Sequence, residues 1–134
     1  MESKERVKHL SVRIDRPAAE AYELLSRPES FPKWASGMGG KLRREGADWA
    51  MDTPEGTATI RFSEPNSRGV LDHQVRLPKR APVYVPLRVV ANGDTCDLVL
   101  TLFRQPDMSD EKFAADAEWV MRDLQAAKRL LEGP

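Results

Sequence analysis

Apolar and polar residues alternate along much of the chain, and near residue 109 the period changes from two to that of a helix. In "VKHLSVRID" (7–15), Leu10, Val12 and Ile14 share one face, which predicts a strand. "DRPAAEAYELLSR" (15–27) predicts a helix, with Asp15 as its cap, Pro17 in its first turn and helix formers from Ala18 to Leu25. Pro28 ends it, and "PESFPKWAS" (28–36) fits a second short helix or helical turn. "GMGG" (37–40) reads as a flexible entry into a sheet.

Strand patterns then follow one another. "KLRRE" and "DWAMD" flank "GA", and "DWAMD" meets "TATIRFS" across "TPEG". Both hairpins send Trp49, Met51, Ala58, Ile60 and Phe62 to one side. Further strands are expected in "VLDHQVRL" (70–77), "VYVPLRVVA" (83–91) and "TCDLVLTLFR" (95–104). The dipeptide Asn92-Gly93 is a strong signal for a two-residue turn. With those two residues as the loop, Ala91 pairs with Asp94, Leu87 with Leu98, Val89 with Cys96, and Arg88 with Asp97. Extending the sheet pairs Asp72 with Arg88 and Arg61 with Asp72. His73 is thereby set beside Leu87 and Ile60, and Arg61, Asp72, Arg88 and Asp97 form a ladder of alternating charge on the solvent side.

"MSDEKFAADAEWVMRDLQAAKRLLE" is the clearest helix, expected over 109–132. Ser109 caps it, Asp110 and Glu111 lie at the positive end of its dipole, and Lys128 and Arg129 lie near the negative end. Phe113, Ala117, Val120, Leu124, Ala127 and Leu131 form one apolar stripe, and Trp119 falls outside it. A tryptophan in that position is expected to be partly exposed, to meet a second copy of the chain, or to pack under the edge of its own sheet.

Composition narrows the reading. The chain has 134 residues, the size of a single domain spanning 1–134, and its 21 basic and 21 acidic residues cancel without forming a basic stripe. Nucleic acid is therefore not an expected partner. No apolar run approaches the ~18 residues of a membrane span, and the charged start is not a secretory signal. A single cysteine, Cys96, permits no internal disulfide and suits a reduced, cytoplasmic setting.

The order strand, two helices, about six antiparallel strands (six or seven strands in all) and a long C-terminal helix resembles the helix-grip fold of the SRPBCC superfamily, an α+β class that includes START-type lipid carriers. "VRIDRPAAEAYELLSRPESFPKWASGM" looks like the opening of the polyketide cyclase/dehydrase branch. "GVLDHQV", "VPLRVVANGD", "TLFRQPDMSDEKF" and the closing "DLQAAKRLLE" resemble small uncharacterised members of it. Asp107 stands where a glycine is expected. The resemblance implies a curved sheet around the C-terminal helix, with a cavity between them for an apolar ligand. It supplies no universal catalytic motif, so no catalytic residue is transferred.

Among candidate chemistries, His73 is the one ionisable side chain that alternation places on the inner sheet face. It could orient a ligand or shuttle a proton, or it could be a core histidine satisfied by a hydrogen bond. Trp34, Trp49, Met51, Ile60, Phe62, Leu87, Leu98, Val120 and Leu124 are the other candidate ligand-binding residues, and Met121 shares their chemistry; all are equally what a core requires. His9, His73 and Cys96 lack the spacing of a metal site, and no cofactor is expected. Cys96, inside a strand with no basic neighbour, reads as a core thiol. "GMGGK" lacks the spacing of a phosphate-binding loop. Binding of a small hydrophobic ligand is the leading reading. A cyclase or dehydratase using His73 is the first alternative, and a protein-interaction module the second.

Overall fold

A computed structural model describes residues 6–35 and 41–133. The predicted entry segment at 37–40 lies outside the described residues. Strand β1 (Val7–Ile14) leads into helix α1 (Ala18–Leu25), a 3₁₀ turn (Pro28–Ser30) and the single-turn helix α2 (Phe31–Trp34). Seven strands follow: β2 (Arg43–Glu45), β3 (Asp48–Thr53), β4 (Gly56–Phe62), β5 (His73–Arg76), β6 (Val83–Val85), β7 (Leu87–Asn92) and β8 (Thr95–Phe103). Helix α3 (Asp110–Glu132) ends the fold. The strands pair antiparallel in two sheets, ordered β1-β8-β7 and β2-β3-β4-β5-β6. This is an α+β helix-grip architecture.

The helices show how local chemistry sets their ends. The Ser109 side chain accepts a hydrogen bond from the Lys112 amide at 3.0 Å, as the sequence predicts, and Asp110 and Glu111 occupy the first turn. Asp15, in contrast, does not cap α1. Pro17 takes the N-cap position in an extended conformation, and the Asp15 carboxylate instead binds Arg13 at 2.7 and 2.9 Å. The far end of α3 is tied to this corner: Glu132 accepts from the Asp15 amide, and Lys128 donates to the Arg13 carbonyl.

The expected strand 83–91 is broken at Pro86, and its halves belong to different sheets. Proline has no amide hydrogen to give a ladder, so pairing stops there, and the strands number eight. An isolated bridge, Val70 to Arg88, joins the two sheets at the break.

Three registers differ from the expected ones by two residues. Asn92 pairs with Thr95, leaving Gly93 and Asp94 as the loop. Gly93 has φ of +62° and Asp94 does not share its positive φ, so glycine fills the first loop position, as in a type II′ turn, and Asn92 stays in the strand. Arg88 therefore faces Val99, not Asp97, which faces Arg13. In the second sheet His73 pairs with Phe62 and Val85 instead of Ile60 and Leu87, and Arg61 pairs with Gln74. A shift of two keeps every side chain on its predicted face. It nevertheless dismantles the four-charge ladder: Arg61 bonds Asp48, and Asp72 is buried. Asp107, in the predicted glycine position, has φ of +63°, which explains the expectation.

The core lies between the sheets and helices. Ile14, Met51, Ile60, Leu87, Cys96, Leu98 and Leu124 are its largest fully buried side chains. Met51, Ile60, Leu98 and Leu124, expected to serve either a core or a pocket, are thus packed core.

Candidate functional site

A cleft of about 460 Å³ lies between the second sheet and the N-terminal half of α3. Four parts of the chain build it. Phe31, Trp34 and Ala35 come from α2 and its end, His73 and Val75 from β5, and Val85 from β6, with Leu100 of β8 at the back. Helix α3 supplies Lys112, Ala115, Asp116, Trp119, Val120 and Asp123, spaced by three and four so that they share one helix face. This face runs beside the predicted apolar stripe and accounts for Trp119. That residue is 44% exposed along the cleft, with the Arg122 guanidinium 5.4 Å from its ring.

His73 sits at the inner end of the cleft. Its ring is buried and packs edge-on to Phe31 at a centroid distance of 5.4 Å and tilted against Phe62 at 5.9 Å. Nδ1 lies 3.1 Å from the Leu71 carbonyl oxygen. A carbonyl only accepts, so Nδ1 carries the proton, and Nε2 of the neutral ring is left as an acceptor. Burial pushes the imidazole pKa below its ordinary 6.5, a shift only partly opposed by the Leu71 bond and the nearby Asp72 carboxylate.

Trp34 is also buried, and its ring packs edge-on to Phe31 at 5.3 Å. Its Nε1–H has no hydrogen-bond partner, and it is the one fully buried side-chain polar atom among the described residues in that condition. Behind Phe31, Trp34 and His73 lies a void of about 20 Å³, bounded also by Phe62 and Leu87.

Of the residues singled out from sequence, Trp34, His73 and Val120 line the cleft, and Phe62 and Leu87 border the void behind it. Trp49 lines neither; it is half-buried under the Arg44 guanidinium, 5.2 Å away. Phe31, Val75, Val85 and Ala115 were not singled out, although their strand and helix periods place them beside residues that were.

Asp72 anchors the rim where the sheets part. It accepts both guanidinium bonds of Arg88 at 2.8 Å, the Tyr84 hydroxyl at 2.6 Å and the Leu87 amide at 2.9 Å. The Arg88 bonds outweigh the effect of burial and hold its carboxyl pKa at about 2. The carboxylate thus satisfies the Leu87 amide immediately after the break at Pro86. Cys96 is fully buried, and burial pushes its thiol pKa up. Among the described residues, no cluster of three or more His, Cys, Asp or Glu could hold a metal ion, and no helix is long and apolar enough to cross a membrane.

Neither a protein-family model nor a curated protein matches the chain by sequence. Solved structures do resemble it in fold. A START superfamily protein from Mycobacterium smegmatis superposes with a TM-score of 0.70 at 12% identity, covering 96% of this chain and 98% of that one. The Zhui aromatase/cyclase from Streptomyces sp. R1128 gives 0.69 at 19%, covering 95% and 93%. An uncharacterized protein from Bacillus thuringiensis gives 0.73 at 16%, covering 95% and 99%. The fold is therefore the one that the START superfamily protein and the aromatase/cyclase also have.

Proposed function

We propose that the protein binds a small, largely apolar molecule in the cleft between its second sheet and α3, with His73 orienting the ligand's polar end. The carrying observation is the cleft itself: a volume of about 460 Å³ walled by Phe31, Val75, Val85, Leu100 and Trp119, with two buried polar rings at its inner end. Small-molecule sites have this anatomy, an apolar concavity of roughly 300–1,000 Å³ with few polar groups. The START superfamily and aromatase/cyclase neighbours are compatible with ligand binding and with cyclisation alike. Binding without turnover is the better supported reading, because general acid–base chemistry on a bound chain calls for several converging polar groups. Here the Lys112 ammonium is engaged by Asp116 at 2.7 Å, and His73 is the titratable group at the inner end.

Mass spectrometry of compounds released from the natively purified protein tests this directly. An apolar compound at near-stoichiometric amount is expected. The neutral fluorophore N-phenyl-1-naphthylamine should bind at one site per chain, and Ala115→Trp, which fills the cleft from an exposed helix position, should abolish that binding. No extracted compound together with no fluorophore binding would refute the reading.

A further inference from the structure

The polar lining of the cleft leans to one sign. Helix α3 sets Lys112, Asp116, Trp119 and Asp123 along it in steps of four, three and four, one row on the helix face. The row carries two carboxylates and one ammonium, and Asp116 already engages that ammonium at 2.7 Å. Exposure widens the imbalance. Lys112 and Arg122, the guanidinium over the Trp119 ring, are exposed, whereas Asp116 and Asp123 are half-buried. Exposed charges are screened within about 8 Å at physiological salt, and half-buried ones beside an apolar wall are screened less. The carboxylates therefore dominate the potential inside the cleft.

A second, independent observation agrees. His73, 6% exposed, lines the same cleft, and with Nδ1 held by Leu71 its Nε2 is an acceptor without a partner among the described residues. That nitrogen keeps some exposed surface, since the Trp34 Nε1 is the one unpartnered polar side-chain atom among them that is fully buried. Burial lowers the imidazole pKa, so the ring adds no positive charge at pH 7. The lining thus offers a ligand mainly acceptors, and a buried acceptor calls for a donor. An ammonium brings positive charge and N–H donors together; a carboxylate brings negative charge and acceptors alone. We propose, resting on the ligand-binding reading above, that the cleft selects apolar amines, held as ammonium ions by Asp116 and Asp123, over carboxylates of the same shape.

Displacement of N-phenyl-1-naphthylamine from the intact chain by 2-(aminomethyl)naphthalene, 2-naphthalenemethanol and 2-naphthoate at pH 7 and low salt tests this. The amine is expected to bind about tenfold more tightly than the carboxylate, with the neutral alcohol between them. Raising the salt to about 1 M, where screening acts within about 3 Å, should shrink that preference to about twofold or less. Asp116→Asn combined with Asp123→Asn leaves Lys112 as the charged group of the row and should reverse the order, with the alcohol's affinity unchanged. Where that variant fails to fold, the salt dependence of the wild-type protein decides. Equal affinity for amine and carboxylate, or a preference for the amine that survives high salt or the double substitution, overturns the selectivity and leaves cleft binding standing. Binding of neither the fluorophore nor any of the three probes overturns both the selectivity and the reading on which it rests.

Discussion

The two ends of α3 face the same kind of partner, an antiparallel sheet, yet one end is filled and the other is open. At the C-terminal end Leu124 and Ala127 are fully buried with Ile14, Ala21 and Leu98 in the same core, and Lys128 and Glu132 bind the β1–α1 corner. At the N-terminal end the opposing residues include Ala35, Val75 and Val85, α3 itself presents Ala115, and the cleft remains. The difference is one of side-chain volume and support. Long Leu and Ile side chains fill one interface, and α1 approaches closely through Ala21. The other interface sets short side chains at Ala35, Val75, Val85 and Ala115 among the larger Phe31, Trp34 and Trp119, and its strand β6 has three residues and stops before Pro86. A cavity in this fold thus needs no special element; short residues at a few facing positions leave one.

Leu124→Ala should break the filled end and give the largest effect, a loss of about 3 kcal/mol in chemical denaturation. Val120→Ala, one turn away and half-buried beside the cleft, should cost only about 1 kcal/mol. Similar losses at both positions would mean that the ends do not differ in packing. Asp72→Asn tests the tie between the sheets and should cost about 2 kcal/mol at pH 7. The folded carboxyl titrates at about 2, against an ordinary 3.8. The stability it provides is therefore complete above about pH 4, declines as pH falls toward about 2, and is lost below that. The variant should lack that acid-dependent part.

His73→Phe gives a smaller effect, seen in pH dependence. Burial lowers the histidine pKa, so the unfolded chain binds the proton more readily than the folded one. Stability contributed by the neutral ring is complete above the ordinary 6.5 and falls as pH drops below it. Denaturation at pH 5 and pH 7 should show this loss in the wild type and a flatter profile in the variant. Smallest of all, Ala115→Trp should change stability by within about 0.5 kcal/mol, because the position is exposed. A large loss there would show that the open end is packed more tightly than its geometry indicates.

Element type, order and facing were legible in the residues, because a period of two or 3.6 records which face is buried. Ser109 and the stripe from Phe113 to Leu131 defined α3 to within a residue. Register was less legible, because both possible turns around Gly93 preserve the alternation and differ only in which residue takes the first loop position. Pro86 was visible as a strand anomaly, but the transfer of the chain between sheets depends on Asp72 filling the gap, a contact across 15 residues of sequence. At the site, Trp34 and His73 stood out by chemistry. Val75, Val85 and Ala115 did not, since a short apolar residue reads the same whether it meets a neighbour or a void.

The pairing of β1 with β8, from Val7 with Phe103 to Ile14 with Cys96, has a consequence for synthesis. The first strand made must wait for the last, because β8 lies between β1 and β7. At about 5–20 residues per second this interval lasts on the order of ten seconds, during which Leu10, Val12 and Ile14 have no sheet to join. Contacts so distant along the chain also slow folding after release. The polar residues interleaved on β1, His9, Ser11 and Arg13, give the waiting segment a means of staying solvated and resisting premature association.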